Sequence, residues 1–363
     1  MKIVMNFLIL LPLILCDCSH TMADLIAPLP DQHFDTPLTL PAKTLYVVSE
    51  LPFRMSIIDL DTWEILRQVP LPSSYVRQSF ARNSDGTLWI GYTGDGFSDD
   101  RMQIFQPDGN LKRTFYPCLN PGSGIYPGET QTLLICDELG FFGTVAMVDN
   151  ASLRVTSSYS LTLPHHDLVY QSGGDADNLF VFGMTKGRGD NCGYIGTSIL
   201  DTQTGALKEQ LPVLPCTMLS DVVTYHDDYY LLNSASWQED DDVANDDVYL
   251  VHKDTWTMTT PITIAYHAPT WGVVVGDDLY TYHDPSWNQA LTTPERAMAR
   301  TSLKTGEGKV WTLPDFFWVG DMIVADGKIL LAETNGVFEF DPESGEVIQR
   351  VELDYARLMA VAE

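Results

Sequence analysis

Seven copies of a strand–turn–strand pattern recur along the chain. Each copy has an apolar or β-branched strand, a turn rich in Asp, Thr, Ser and Gly, and a second strand. Their spacing averages about 47 residues, and they begin at Ser56, Gln103, Ala146, Ser198, Tyr249, Arg300 and Val337. A repeat of this length suits a four-stranded β-propeller blade and is too long for a leucine-rich or ankyrin unit.

A second pair of strands lies upstream of these hairpins, often joined by Asp-Gly or a similar turn. Clear examples run from Val273 to Tyr282 and from Met322 to Glu333. Each repeat therefore supplies four strands, and no window of the sequence has sustained helical periodicity. The sequence predicts an all-β fold, a seven-bladed β-propeller of four-stranded antiparallel blades.

The two ends of the repeat array are incomplete in complementary ways. Blade one has the strand Lys43–Glu50 and a following hairpin but lacks an obvious innermost strand upstream. The last residues, Ala356–Glu363, match an innermost strand that has no blade of its own. Because an unclosed ring would leave two exposed strand edges, we expect these segments to pair and close the propeller.

Blade one resembles a known repeat. The segments Leu45–Val48, Ser56–Asp59 and Asp61–Ile65 are similar to YVTN-type repeats of seven-bladed surface and periplasmic proteins, in the WD40-like and quinoprotein amine dehydrogenase-like superfamily. The segment from Asn83 resembles sensor-type propeller repeats instead. The resemblance implies a propeller fold but no single activity, since propellers serve many functions.

The N-terminus has the order of a secretory signal. Lys2 precedes the apolar run Phe7–Leu15, which is too short to span a bilayer. Cleavage before Asp24 would release a free protein. Alternatively, Leu13–Cys16 is similar to a bacterial lipobox and would make Cys16 the lipidated first residue, although Leu15 stands where a small residue is usual.

These observations predict a signal peptide over residues 1–23, a lead segment over 24–42 and a propeller domain over 43–363. The predicted location is extracytoplasmic, either secreted, periplasmic or lipid-anchored at the cell surface. Contact with a membrane is expected only through that lipid anchor.

Four cysteines follow the signal region, and an even number in an exported chain suggests two disulfides. Cys118 and Cys216 each follow a proline at a connection between blades. Cys136 and Cys192 lie at or beside loops between second and third strands. These positions share one face of a propeller, so we expect the pairs Cys118–Cys136 and Cys192–Cys216.

The formal net charge is −28, from 49 acidic and 21 basic residues. Such a chain repels phosphate backbones and anionic lipid surfaces, which argues against nucleic acid as a partner. The charge does not indicate disorder, because 45% of the residues are hydrophobic and 11% are aromatic.

The longest loops start at Gly91, Met184, Ser234 and His283 and share a face with the connections between blades. Trp237 and Trp287 occupy equivalent places in two of them. Aromatic residues in the connections are expected near the axis of the same face. The predicted ligand-binding residues are Tyr75, His166, Trp237, Trp271, Trp287 and Trp318. The alternative is that these rings fill gaps between wedge-shaped blades.

One loop carries six carboxylates in nine residues, from Glu239 to Asp247. Ca²⁺ takes several oxygen ligands, so Glu239, Asp240, Asp242 and Asp246 form a candidate metal site. The loop lacks the Gly and terminal Glu of an EF-hand, and a solvated charge run is the alternative. His165–Asp167 and His283–Asp284 are the His-acid groupings near this face, and no catalytic residue is assigned.

The leading hypothesis is a binding module whose loop-rich face takes a glycan, peptide or partner protein. One alternative is an enzyme of the propeller lactonase or lyase type, which uses a divalent metal or a histidine. Another is a redox-associated subunit that resembles the heavy chain of amine dehydrogenases. The acidic loop favours a neutral or cationic ligand over an anionic one.

Overall fold

The computed structural model describes the propeller and the end of its lead segment. It consists of β-strands and turns, and within it no helix is long and apolar enough to cross a membrane. Residues 1–32, with the predicted signal and Cys16, lie outside the described part. The described residues are 33–72, 76–93, 101–118, 121, 124–138, 142–160, 168–185, 194–215, 217–236, 243–244, 247–259, 261–284, 295–313 and 318–362.

The strands are numbered in chain order. The first eleven are β1 (Thr44–Glu50), β2 (Phe53–Asp59), β3 (Ile65–Pro70), β4 (Val76–Arg82), β5 (Leu88–Thr93), β6 (Arg101–Phe105), β7 (Leu111–Phe115), β8 (Gly124–Pro127), β9 (Gln131–Glu138), β10 (Phe142–Asp149) and β11 (Arg154–Ser160). The next eleven are β12 (Leu168–Gly174), β13 (Asn178–Thr185), β14 (Tyr194–Asp201), β15 (Leu207–Gln210), β16 (Leu214–Pro215), β17 (Met218–Tyr225), β18 (Asp228–Ser236), β19 (Val243–Ala244), β20 (Asp247–His252), β21 (Thr257–Met258) and β22 (Ile262–Thr263). The last nine are β23 (Pro269–Val275), β24 (Asp278–His283), β25 (Ala297–Ser302), β26 (Gly308–Thr312), β27 (Val319–Ala325), β28 (Lys328–Glu333), β29 (Gly336–Phe340), β30 (Val347–Glu352) and β31 (Ala356–Ala362).

These strands form seven antiparallel sheets, each a blade. From the axis outward, blade one is β31-β1-β2-β3, blade two β4-β5-β6-β7 and blade three β8-β9-β10-β11. Blades four and five are β12-β13-β14-β15 and β17-β18-β20-β21, with the short strands β16, β19 and β22 paired beside them. Blades six and seven are β23-β24-β25-β26 and β27-β28-β29-β30. The predicted seven-bladed propeller is confirmed, with each hairpin identified from sequence beginning in the third strand of its blade.

The ring closes as predicted. Strand β31 pairs antiparallel with β1, so that Thr44 lies opposite Ala362 and Val48 opposite Leu358. The last strand of the chain is therefore the innermost strand of the first blade. This pairing removes the open edge that blade one would otherwise present.

The core lies between neighbouring blades, and β1 shows why its sequence is continuously apolar. Leu45 and Val47 pack in a cluster with Leu330 of blade seven. Tyr46 alternates with them and packs in a second cluster with Ile90 of blade two. Because successive side chains point to opposite sheet faces, a strand covered on both faces has no polar side.

The lead segment packs across the outer side of the first two blades. The Phe34 N–H donates to Oδ1 of Asn110 in the β6–β7 turn at 2.8 Å. The Arg67 guanidinium carbon lies 4.3 Å from the centre of the Phe34 ring, and its Nη2 donates to the Thr36 carbonyl at 2.6 Å. Phe34, Leu38 and Leu40 pack against the core shared by these blades.

Candidate functional site

Strand direction alternates within each blade, and this fixes which connections share a face. The links between second and third strands emerge on the same side as the links between blades. We call this side the loop-rich face. The turns between first and second strands emerge on the opposite face. The segments 94–100, 186–193 and 285–294 and most of 237–246 join strands on the loop-rich face, and their own structure lies outside the described residues.

Several predicted site residues fall in such segments, so their roles stay predictions. The candidate ligand-binding residues outside the described part are Tyr75, His166, Trp237 and Trp287, and the candidate metal ligands there are Glu239, Asp240, Asp242 and Asp246. Cys192 and Cys216 are outside it as well. Among the residues that are described, no group of three or more His, Cys, Asp or Glu side chains could hold a metal.

A belt of buried side chains lies near the ends of the second strands, and some of its members contact the connection that enters their blade. The members of this belt are all buried: Ser49, Cys136, Asn233, His283 and Glu333. Cys136 forms a disulfide with Cys118, with Cα atoms 6.1 Å apart, which confirms this predicted pair. Asn233 Oδ1 accepts a hydrogen bond from the Met218 N–H at 3.2 Å. Each of these contacts ties a blade to the connection that enters it.

His283 belongs to this belt and is occupied by internal contacts. Its Nδ1 lies 2.7 Å from the His267 carbonyl oxygen and its Nε2 lies 2.6 Å from Thr281 Oγ1. The carbonyl accepts only, so Nδ1 carries the proton and Nε2 accepts from the hydroxyl. Burial lowers the pKa of His283 to about 3, so the ring is neutral. Asp284 is paired with Arg296 at 3.2 Å.

Two carboxylates join neighbouring blades near the axis. Asp221 Oδ1 accepts from the Val222 N–H at 2.8 Å, and its Oδ2 accepts from the Gly272 N–H of blade six at 3.0 Å. Asp321 repeats the arrangement between blades seven and one, accepting at 2.8 Å from the Met359 N–H of β31. Burial raises the pKa of Asp221 to about 7 and that of Asp321 to about 6.

Trp271, a predicted ligand-binding residue, occupies the position equivalent to these aspartates. Each of the three residues follows a register shift between the first and second strands of its blade. The Trp271 Nε1–H donates to the Val319 carbonyl of blade seven at 3.0 Å. Its ring is partly buried against the core shared by blades six and seven. Trp271 therefore links blade six to blade seven through Val319, the residue that follows Trp318.

Trp318 lies on the surface just before the inner strand β27, with 39% of its area exposed. The Arg357 guanidinium carbon lies 5.0 Å from the centre of its ring. Arg357 also forms an ion pair with Glu50. A Cβ atom added to Gly320 would come within 3.0 Å of Trp318 Cζ3, so the ring lies close against that glycine. The exposed indole thus contacts Arg357 and lies against Gly320.

Backbone hydrogen bonds bring two more exposed residues to Trp318. The Trp318 carbonyl accepts from the Thr334 N–H, and the Thr334 carbonyl accepts from the Tyr355 N–H at 2.6 Å. The Tyr355 carbonyl in turn accepts from the N–H of Glu50, the residue before Leu51. Tyr355 and Leu51 are 44% and 54% exposed. We call Leu51, Trp318 and Tyr355 the closure patch, because they surround the point where the ring closes.

Of the predicted ligand residues, the structure thus brings Trp271 and Trp318 near each other on the loop-rich face. Sequence reasoning missed Leu51 and Tyr355, since each is a single apolar residue in a short turn. It also missed Asp221 and Asp321. The equal spacing of Asp221, Trp271 and Asp321 along the sequence is a regularity that could have pointed to these two.

Several solved propellers are similar to this chain in fold. The C-terminal WD40 domain of Sif2 is 12% identical, with 84% of this chain and 80% of that chain covered and a TM-score of 0.53. Dihydro-heme d1 dehydrogenase NirN in complex with DHE is 14% identical, with coverages of 92% and 77% and a TM-score of 0.55. Apo AztD from Citrobacter koseri is 11% identical, with coverages of 88% and 98% and a TM-score of 0.55.

At these identities the similarity shows the fold alone. It confirms the resemblance to WD40-like propellers at the level of architecture. No protein-family model matches the sequence, and no curated protein matches it at a significant level.

Proposed function

We propose that this chain is an exported binding module that takes a glycan, peptide or protein partner on its loop-rich face. The observation that carries the proposal is the closure patch. Three large apolar side chains are exposed at or next to residues joined by backbone hydrogen bonds, and the guanidinium of an ion-paired arginine lies against one of them, Trp318. Exposed clusters of this kind mark interaction sites more often than scattered single residues do.

The loops that carry Trp237 and Trp287 begin and end on the same face, which supports a binding surface larger than the closure patch. The acidic run from Glu239 to Asp247 lies in the chain segment that connects β18 to β20, two strands whose connection is on that face. Its charge favours a neutral or cationic ligand, because an anion would be repelled as it approached. The same run is a candidate Ca²⁺ site within this proposal.

Export is part of the proposal and rests on two independent features. The N-terminal residues have the charge and apolar pattern of a secretory signal. The described cysteines Cys118 and Cys136 form a disulfide, and structural disulfides persist in oxidising compartments. Metabolic labelling with palmitate, compared between wild type and Cys16→Ser, distinguishes a lipid-anchored protein from a free one.

The binding proposal is tested by screening the purified protein against neutral oligosaccharides and basic peptides by isothermal titration calorimetry. Wild type is compared with the Trp237→Ala, Trp287→Ala double variant and with Trp318→Ala. We expect a ligand whose affinity falls in at least one of these variants while their melting temperatures stay near that of wild type. If no ligand binds and the double variant loses stability, the rings are structural and the proposal is wrong.

A further inference from the structure

We infer that the closure patch is a stacking platform for an uncharged sugar ring, with Trp318 as its centre and Tyr355 and Leu51 at its sides. This inference rests on the proposed binding function and names the class of ligand for one part of the face. The contacts of Trp318, its aromatic neighbour Tyr355 and the paired charges around them favour this ligand class.

Trp318 is packed against its neighbours before any ligand arrives. The Arg357 guanidinium lies against the Trp318 ring and is itself held by Glu50. The indole also lies close to the backbone of Gly320, since a Cβ atom added there would come within 3.0 Å of Trp318 Cζ3. A side chain that is already fixed loses little conformational freedom on binding, so most of the contact energy contributes to affinity.

The exposed surface suits a flat, partly apolar ring. Trp318 and Tyr355 each stand immediately before an inner strand, β27 and β31, and these strands belong to adjacent blades. The backbone hydrogen bonds through Thr334 connect the two residues. Aromatic side chains offer a large apolar contact area with a polar end, here the indole N–H and the phenol O–H. A sugar has the complementary arrangement, with C–H groups on its faces and hydroxyls at its edge.

The charges around the patch are already paired, which favours an uncharged occupant. Arg357 is paired with Glu50. Arg54 Nη2 lies 3.9 Å from an Asp354 carboxylate oxygen, beside Tyr355. A charged ligand would have to compete with one of these pairs for its counter-charge. Sugar hydroxyls can instead donate to the carboxylates and accept from the guanidinium groups while both pairs remain in place.

The test uses cellohexaose, laminarihexaose, mannohexaose, maltohexaose and chitohexaose as probes in calorimetric titrations of the full chain. Trp318→Ala and Tyr355→Ala remove the platform. Leu207→Ala is the control, because Leu207 is 51% exposed and begins the outer strand β15, after the β14–β15 turn on the opposite face. We expect at least one probe to bind wild type, with affinity reduced on the order of tenfold or more in Trp318→Ala. The control should bind like wild type, and melting curves should be alike for all four proteins.

The outcomes separate this inference from the function on which it rests. If an oligosaccharide binds but Trp318→Ala binds it equally well, the platform is wrong and the binding function stands. If none of the oligosaccharides binds while a basic peptide does, the ligand class is wrong and the binding function again stands. If neither class of probe binds, both are overturned.

Discussion

Replacing Asp221 with asparagine should weaken the contact between blades five and six. Both carboxylate oxygens of Asp221 accept backbone hydrogen bonds, from Val222 in its own strand and from Gly272 in the next blade. In either protonation state both oxygens of Asp221 have lone pairs for these two N–H donors, whereas asparagine has a single acceptor oxygen and its amide nitrogen would face one of them. Leaving a buried donor without a partner costs about 1–3 kcal/mol.

The effect should depend on pH because burial raises the pKa of Asp221 from 3.8 to about 7. A folded-state pKa above the unfolded value means that the native state binds more protons in this window. The contribution of Asp221 to stability is therefore fully present below the unfolded pKa and declines as pH rises towards 7. Over the two pH units between pH 5 and this pKa, the contribution of Asp221 to the free energy of unfolding falls by about 3 kcal/mol.

The measurement is urea unfolding of wild type and Asp221→Asn, followed by tryptophan fluorescence at pH 5, 6, 7 and 8. Asparagine does not titrate, so the difference in free energy of unfolding isolates this carboxyl. We expect the variant to be less stable at pH 5, with the difference shrinking or reversing by pH 8. Asp354→Asn, at a residue that is 72% exposed, is the control for loss of charge and should change little. A difference that is the same at all four pH values would refute the reasoning.

Three further predictions concern stability. Deleting residues 357–363 removes most of β31 and should lower the melting temperature by on the order of 10 °C or more, because blade one regains an open edge; unchanged melting would contradict the closure. The Cys118→Ser, Cys136→Ser variant should lose about 3 kcal/mol of unfolding free energy, and free thiols at these positions in non-reducing peptide mapping of wild type would show that the pair does not form. Phe34→Ala should lower the free energy of unfolding in urea by about 1–3 kcal/mol, because the ring packs on the core and against Arg67, and Phe34→Leu should be closer to wild type. Equal stability of Phe34→Ala and wild type would contradict a stabilising role of the lead segment.

The architecture was predictable because its determinants are local and repeated. Each hairpin has its own turn chemistry, and the unpartnered strand at the end of the chain indicates where the ring closes. The Cys118–Cys136 pair followed from the blade alignment, which placed both residues on one face. These inferences need only the order of strands within a blade.

The contacts between blades were not predictable in the same way. Asp221 and Gly272 lie far apart in sequence, and the register shift just before Asp221 is not visible in the sequence pattern. The closure patch likewise joins Leu51 to Trp318 and Tyr355 through a backbone network that exists only once the ring is formed. The role of Trp271 was not predictable for the same reason, because its indole N–H donates to the Val319 carbonyl of the neighbouring blade.

Hydrogen–deuterium exchange with and without the tightest ligand from the two screens tests most directly whether the loop-rich face binds. At saturating ligand, we predict slower exchange in peptides that cover residues 50–52, 318–320 and 353–357 on this face. Exchange should be unchanged at the turns 226–228, 276–278 and 326–328 on the opposite face. Protection confined to the opposite face would contradict the account.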